Sequence, residues 1–203
     1  MSASGAAPGG PAPMLLAVGG LVGLIAGLLT GGSVHSLLAK RLRWPLVVVA
    51  ALVIRELEIR TPLVGAALGP AIFVLSLAVL LAWAAWHNDR LPGIWLVMVG
   101  IGMNLVAVLA NGAHMPVAPD AIHTGPAQLR QHGTFAQYVL AGPDTRLGWL
   151  GDWIVLPGPL GRLFPQAYSP GDLVSTVGLA VVLFLTTRPT AKKKTRMGAI
   201  TTR

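Results

Sequence analysis

Residues 91–110 form an almost unbroken apolar run that carries one amide, Asn104, and ends in Asn111-Gly112-Ala113-His114-Met115-Pro116-Val117. On a helix, Gly100, Asn104, Ala107 and Asn111 fall at i, i+4, i+7 and i+11 and share one face. Hydrocarbon cannot hydrogen-bond an amide, so that face must look into protein or a wet cavity. The run therefore predicts a helix inside a membrane and marks where the polar interior lies. It names no reaction and no substrate.

Composition points the same way. Hydrophobic residues make up 54% of the chain and charged residues only 11%, against roughly 25% charged in soluble domains. Mean hydropathy is +0.69. There is no cysteine, which rules out disulfides, thiolate metal sites and thiol chemistry. The net charge of +8 is not spread over a surface: Arg188, Lys192, Lys193, Lys194, Arg196 and Arg203 all fall in residues 188–203. A basic cluster just past an apolar helix marks a cytoplasmic end or contacts anionic lipid. Without an aromatic platform or folded motif beside it, the cluster does not make a nucleic-acid binder.

The expected fold is all-α: an integral membrane bundle of about five transmembrane helices and a long extracytoplasmic segment with short interfacial helices. Residues 1–13 read as an uncharged, disordered tail. Residues 14–187 form one transmembrane domain, with spans near 14–30, 44–60, 66–86, 91–110 and 173–187. Residues 111–172 are too polar and proline-rich to cross, and 188–203 form a basic cytoplasmic tail. With the lysine-rich tail inside, Lys40, Arg41, Arg43 and Arg90 are inside too. Ten of the fifteen Lys and Arg are then cytoplasmic, as the positive-inside bias requires. The N-terminus and the segment 111–172 face outward.

Gly19, Gly23, Gly27 and Gly31 recur every four residues on the first span and form a helix-packing groove. Its expected occupant is the chain's own fourth span, the alternative being another membrane protein. Arg55, Glu56, Glu58 and Arg60 scatter around their helix at 100° per residue. They read as an interfacial helix end, with Glu56 and Arg60 paired and Arg55 snorkelling outward; the rival reading buries an ion pair beside Asn104. His114, His123 and His132 recur every nine residues around Asp120, unlike the spacing of three or four on which helical metal ligands sit, so no metal site is assigned. No phosphate-binding loop, nucleophile elbow or His-Glu-x-x-His motif is present, and no cofactor is expected.

Within the outer segment, residues 127–140 suggest one or two short helices interrupted by Gly133. Residues 144–153 suggest a helix capped by Asp144, with Trp149 and Trp153 paired in the headgroup layer. Arg146 and Asp152 read as a salt bridge or cap, with a ligand or catalytic pair as the alternative. Ser169-Pro170-Gly171-Asp172 reads as a capping box that starts the last helix.

Four pieces together resemble a bacterial family of small multi-pass membrane proteins, domain of unknown function 5317. They are Asn111-Gly112-x-x-Met115-Pro116-Val117, Gly31-Gly32, Thr145-Arg146-Leu147-x-x-Leu150-Gly151-Asp152, and Ser169-Pro170-Gly171-Asp172. The chain departs from the pattern at Ala113, where the family leads one to expect a second glycine, and at His114, where a variable and often basic residue is expected. The resemblance implies the multi-pass architecture in a bacterial cytoplasmic membrane and highlights Asn104, Asn111, Met115, Pro116, Arg146 and Asp152. With His114 these make up the candidate polar pocket or lid, in which the Met-Pro turn and the Trp-rich helix fold over the end of the fourth span.

Three functions compete on this reading. The first is a non-catalytic accessory or scaffold subunit with a membrane-protein partner. The second is binding or transport of a small lipid-like or quinone-like molecule at the outer end of the bundle. The third is a membrane-embedded enzyme using Asp152, Arg146 and His114.

Overall fold

A computed structural model describes residues 12–39, 42–60, 65–124 and 127–188. The tail at 1–11, Lys40, Arg41 and the basic residues from Lys192 onward lie outside the described residues, as do the side chains of Glu56, Glu58 and Arg60.

The chain is mostly helical, and each of the five apolar runs forms a helix: α1 (Ala12–Leu29), α3 (Pro45–Arg60), α4 (Gly65–Trp86), α5 (Ile94–Ala110) and α8 (Pro170–Thr187). A short α2 (Val34–Leu38) follows α1, and α6 (Ala127–His132) and α7 (Gly158–Leu163) lie between α5 and α8. Two helices are long and apolar enough to cross a membrane, Leu68–Trp86 and Pro170–Thr187; the apolar stretches Met14–Leu29, Pro45–Arg55 and Ile94–Ala110 are shorter. α5 starts later than its apolar run because Gly93 adopts φ +86° and holds Leu91 and Pro92 in a turn.

The five apolar helices pack side by side in the order α1, α8, α5, α4, α3. α8 fits closely between α1 and α5 because small residues let both neighbours approach its backbone. A Cβ on Gly23 would lie 2.5 Å from Ala180 Cα, and one on Gly27 would run into Thr187. On the other flank a Cβ on Gly100 would lie 2.5 Å from the Gly171 carbonyl, and one on Gly178 would lie 2.6 Å from the Val97 nitrogen. The glycine groove is therefore filled from within, by the last apolar helix instead of the fourth. Gly31 does not belong to it. Nothing lies within 4 Å of a Cβ built there; at φ +89° it ends α1, while Gly32 N–H donates to the Gly27 carbonyl (2.9 Å). At the same end, Ser33 N–H donates to the Thr187 carbonyl (2.8 Å) and ties α1 to α8.

The segment between α5 and α8 is where the all-α expectation fails. Gly133 (φ +72°) does end α6, but the residues after it form a hairpin of β2 (Thr134–Phe135) and β3 (Tyr138–Leu140), turned at Ala136 (φ +49°). β1 (Met115–Val117) runs parallel to β3, pairing Met115 with Tyr138 and Val117 with Leu140. Asp152 adds a further bridge to Val117 on the other edge of β1. A second ribbon joins β4 (Ile154–Val155) to β5 (Ala167–Tyr168).

The tryptophan helix expected over 144–153 is also absent. Leu147 sits at φ +51°, Gly148–Leu150 makes one 3-10 turn, and Gly151 leaves it extended. Helical spacing misled here because Gly151 docks against the Pro116 carbonyl with no room for a Cβ, which pulls the chain into the strand layer. Trp149 and Trp153 stay exposed, at 63% and 50%.

This cap rests on two cores. Met115 and Leu150 join Phe73, Leu77, Ala107 and Val108 of α4 and α5 in one. Val117, Ala121 and Leu129 form a second inside the cap.

Candidate functional site

Asn104 projects from α5 toward the start of α8. Its Nδ2 donates to Asp172 Oδ1 (2.8 Å) and its Oδ1 accepts from Ser169 Oγ (2.8 Å). Ser169 Oγ accepts from the Asp172 N–H (2.9 Å), and Asp172 Oδ2 accepts from the Ser169 N–H (3.2 Å). The capping box expected from the sequence is formed, and its side chains close a ring with Asn104. Gly171 makes room for it, since a Cβ there would collide with the Asn104 amide.

Asn111 occupies the C-cap of α5 and grips a distant loop. Its Nδ2 donates to the Ala107 and Arg146 carbonyls (2.8 and 2.7 Å), and its Oδ1 accepts from the Arg146 N–H (2.9 Å). Both ends of the Asn111 amide are thus committed to backbone. Gly112 and Ala113 take φ +63° and +67°, reversing the chain into β1. That conformation explains why a glycine is expected at Ala113: an alanine there carries strain of about 1 kcal/mol.

His114 Nδ1 bonds locally to the Gly112 carbonyl (2.8 Å). Met115 and Pro116 are buried, the first in the shared core and the second through its carbonyl, which accepts from the Asp152 N–H (2.8 Å). The Arg146 side chain is exposed, so its contribution here is backbone alone. Among the described residues no group of three or more His, Asp or Glu could hold a metal ion.

Asp152 departs from its expected pairing. Its cationic neighbour is Arg55 of α3 in place of Arg146, and its anionic neighbour is Asp172. Burial pushes the Asp152 carboxyl well above the usual carboxylate range; Asp172 raises it further and Arg55 opposes the rise. Arg55 is half-buried. Its guanidinium lies 5.0 Å over the Phe73 ring and its Nε is buried. The long side chain crosses from α3 toward the cap, a direction that helical periodicity alone does not reveal.

Tyr138 is the next member. Burial pushes its hydroxyl up to about 12, Asp152 adds to this, and Arg55 opposes it. The Gln137 amide also opposes the rise, yet neither of its polar atoms meets the geometry of a hydrogen bond. Gln137 and Tyr168 are both fully buried (0% exposed); burial raises the Tyr168 hydroxyl, the Gln166 side chain opposes the rise and Asp172 adds to it.

Among the described residues, five buried side-chain atoms lack a partner: Arg55 Nε, Gln137 Nε2 and Oε1, Asp152 Oδ1 and Tyr168 Oη. Folded proteins leave few such atoms, because each costs about 1–3 kcal/mol. All five belong to residues at the capped end, and Asp152, Arg55 and Gln137 all act on the Tyr138 hydroxyl.

Sequence reasoning passed over His87 at the opposite end. It is 1% exposed; Nδ1–H donates to the Trp83 carbonyl (2.9 Å) and Nε2 accepts from the Arg43 N–H (3.1 Å). Trp83 Nε1 donates to the Arg43 carbonyl (3.0 Å), and the two rings stack 4.2 Å apart. Trp83 and His87 at i and i+4, ending a helix, was the available signal. Gln137 and Tyr168 left no comparable signal.

A row of apolar helices closed at one end by a small mixed cap, with a polar cluster beneath it, is the class of protein this structure defines. The profile of DUF5317, a family of unknown function, matches residues 39–184, and the chain belongs to that family. The match includes three of the four motif pieces and begins after Gly31-Gly32. No curated protein and no solved structure matches the chain.

Proposed function

We propose that this chain is a five-span protein of the bacterial cytoplasmic membrane that binds a small lipophilic molecule by its polar end beneath an outward-facing cap. The observation that carries the binding reading is the group of five unpartnered buried atoms at the capped end. The span reading is supported by apolar side chains exposed along the helix flanks, among them Leu21, Val22, Ile25, Val49, Val53, Leu75, Val106 and Val177. Water rejects such flanks and lipid accepts them. Alternation of the helix ends supports it too: Ser33 with Thr187, and Arg43 with His87, mark one end, and the cap marks the other. A helix of 17 residues such as α5 rises about 26 Å, slightly less than a bilayer core of about 30 Å, a mismatch that local thinning accommodates.

Native mass spectrometry of gently extracted protein tests the binding. A defined small molecule on the wild type, lost from Gln137→Leu at unchanged folding, is the expected result. A bare wild-type monomer defeats the reading. Because the chain lacks cysteine, single-cysteine labelling tests the topology. Gly142→Cys should react with an impermeant maleimide in intact cells, and Asn88→Cys only after permeabilisation.

The accessory-subunit reading keeps one support. α3 packs chiefly on α4 and exposes Leu46, Val49, Val53 and Leu57. The glycine groove no longer favours it, since α8 occupies that groove. We assign no reaction.

A further inference from the structure

At the end of the row away from the cap, the turn before α3 docks on the junction of α4 and α5. Leu42 packs against the core of Ala84, Leu91, Ile94 and Val182. One residue later, the Arg43 N–H donates to His87 Nε2 (3.1 Å) and the Arg43 carbonyl accepts from Trp83 Nε1 (3.0 Å). The His87 carbonyl accepts from the Arg90 N–H (2.9 Å). One buried histidine therefore fixes the backbone of Arg43 on one side and that of Arg90 on the other.

The hydrogen bonds of both arginines to this frame come from backbone, and their side chains are exposed. Trp44 and Trp86, each next in sequence to a framed residue, are exposed as well, at 75% and 68%. Trp44 stands at φ +57°, a conformation that bulky side chains rarely adopt, and the bonds to the Arg43 N–H and carbonyl hold the chain at its entry. Arg188, at the C-cap of α8, adds a third exposed guanidinium at this end, 4.3 Å over the Phe184 ring. Among the described side chains here, Asp89 is the one acid. Three cations against one anion attract an anionic partner, and the guanidinium fork matches phosphate oxygens.

Tryptophan narrows that partner to lipid. An indole in water exposes a large apolar ring, and in hydrocarbon it leaves its N–H unbonded; the head-group layer accepts both ends. From Trp44 the exposed apolar surface continues along α3 through Leu46, Val49 and Val53, and from Trp95 along α5 through Val99 and Val106. An acidic protein would meet the arginines and leave those flanks in water.

On the five-span reading, and independently of the binding reading, we infer that this end of the row is a docking surface for anionic phospholipid head groups. Arg43 and Arg90 donate to the phosphate, and the indole rings of Trp44 and Trp86 lie at the level of the glycerol esters beneath it.

The test uses the full chain in nanodiscs of phosphatidylcholine mixed with phosphatidylglycerol of the same acyl chains. Lipids retained on the protein are counted by native mass spectrometry, and quenching of tryptophan emission by brominated phosphatidylcholine reports contact with the bilayer. Wild type should retain phosphatidylglycerol in preference, with its tryptophans quenched. Replacing both arginines, Arg43→Gln with Arg90→Gln, should cut that preference by about fivefold for each charge removed. Arg43→Lys with Arg90→Lys should keep most of it, and Arg130→Gln in the cap should leave it unchanged. Should the double glutamine variant fail to fold, Arg90→Gln alone should lose about fivefold. A preference that survives the double change, or that Arg130→Gln lowers as much, overturns the docking surface and leaves the five-span reading standing. So does a wild type with quenched tryptophans and no preference. Tryptophans that brominated lipid fails to quench overturn both readings together.

Discussion

The two ends of the helix row handle buried polar groups in opposite ways. At the end away from the cap, His87 and Trp83 hold both the N–H and the carbonyl of Arg43, and Ser33 bonds to Thr187; each of these groups meets a partner. At the capped end the Asn104–Ser169–Asp172 ring is equally complete, but Arg55, Gln137, Asp152 and Tyr168 beside it hold atoms that bond to nothing. A satisfied buried network fixes one geometry and is finished once the chain folds. An unsatisfied one of mixed donors and acceptors is complete only with something added. The contrast separates residues whose polar groups are all satisfied within the chain from residues that keep polar atoms without a protein partner, and mutation can break or sharpen it.

The largest effect should come from Asn104→Leu, which strands Ser169 and Asp172 in a buried place. We expect a loss of about 2–4 kcal/mol in stability, read by thermal or denaturant unfolding in detergent. A near-neutral result would place water at the ring and dissolve its role as frame. His87→Phe keeps the stacking on Trp83 but gives up two hydrogen bonds, for about 1–2 kcal/mol, and should leave ligand retention untouched. Retention lost along with it would couple the two ends and undo the separation drawn here.

Gln137→Met should move the other way. It removes two unpartnered atoms at similar length, so the ligand-free protein should gain up to about 1 kcal/mol while binding is lost. A destabilised variant would reveal partners for Gln137 that the folded chain does supply.

Asp152→Asn carries a pH signature. Burial lifts the folded-state pKa above the ordinary 3.8, so the folded chain holds this proton more tightly than the unfolded one. Wild-type stability is then greatest at acid pH and falls as pH rises from 3.8 toward the folded value. The variant lacks that slope, and its advantage in melting midpoint should widen as pH rises above 3.8. Parallel curves would mean Asp152 is paired after all. The smallest effect is expected from Ala113→Gly, which should stabilise by about 0.5–1 kcal/mol by relieving a left-handed alanine.

Much of the frame was legible in the chain. Apolar runs located all five long helices, and Ser169-Pro170-Gly171-Asp172 marked the start of α8 because a capping box is local chemistry. The face carrying Asn104 was legible for the same reason, helical periodicity being a local property. The cap was not. Its strands are two or three residues long and exist only through pairing with partners far along the chain, Met115 with Tyr138 and Val117 with Asp152. Arg55 reads as interfacial while its neighbours are the turns of one helix; Phe73 of the next helix and, much later in the chain, Tyr138 and Asp152 complete its surroundings. Gln137 and Tyr168 carry no pattern of their own, and their importance lies in what fails to touch them.

The place of α8 has a bearing on biogenesis. It follows every other described helix in the chain, yet it stands between α1 and α5 in the row. Until it emerges from the ribosome, α1 presents a bare glycine stripe, and Asn104 has no Ser169 or Asp172 to receive it. α4 and α5 can pair early; α1 cannot join them. Assembly of the row is therefore completed last, and a chain cut short before Pro170 leaves α1 without the neighbour that fills its glycine stripe.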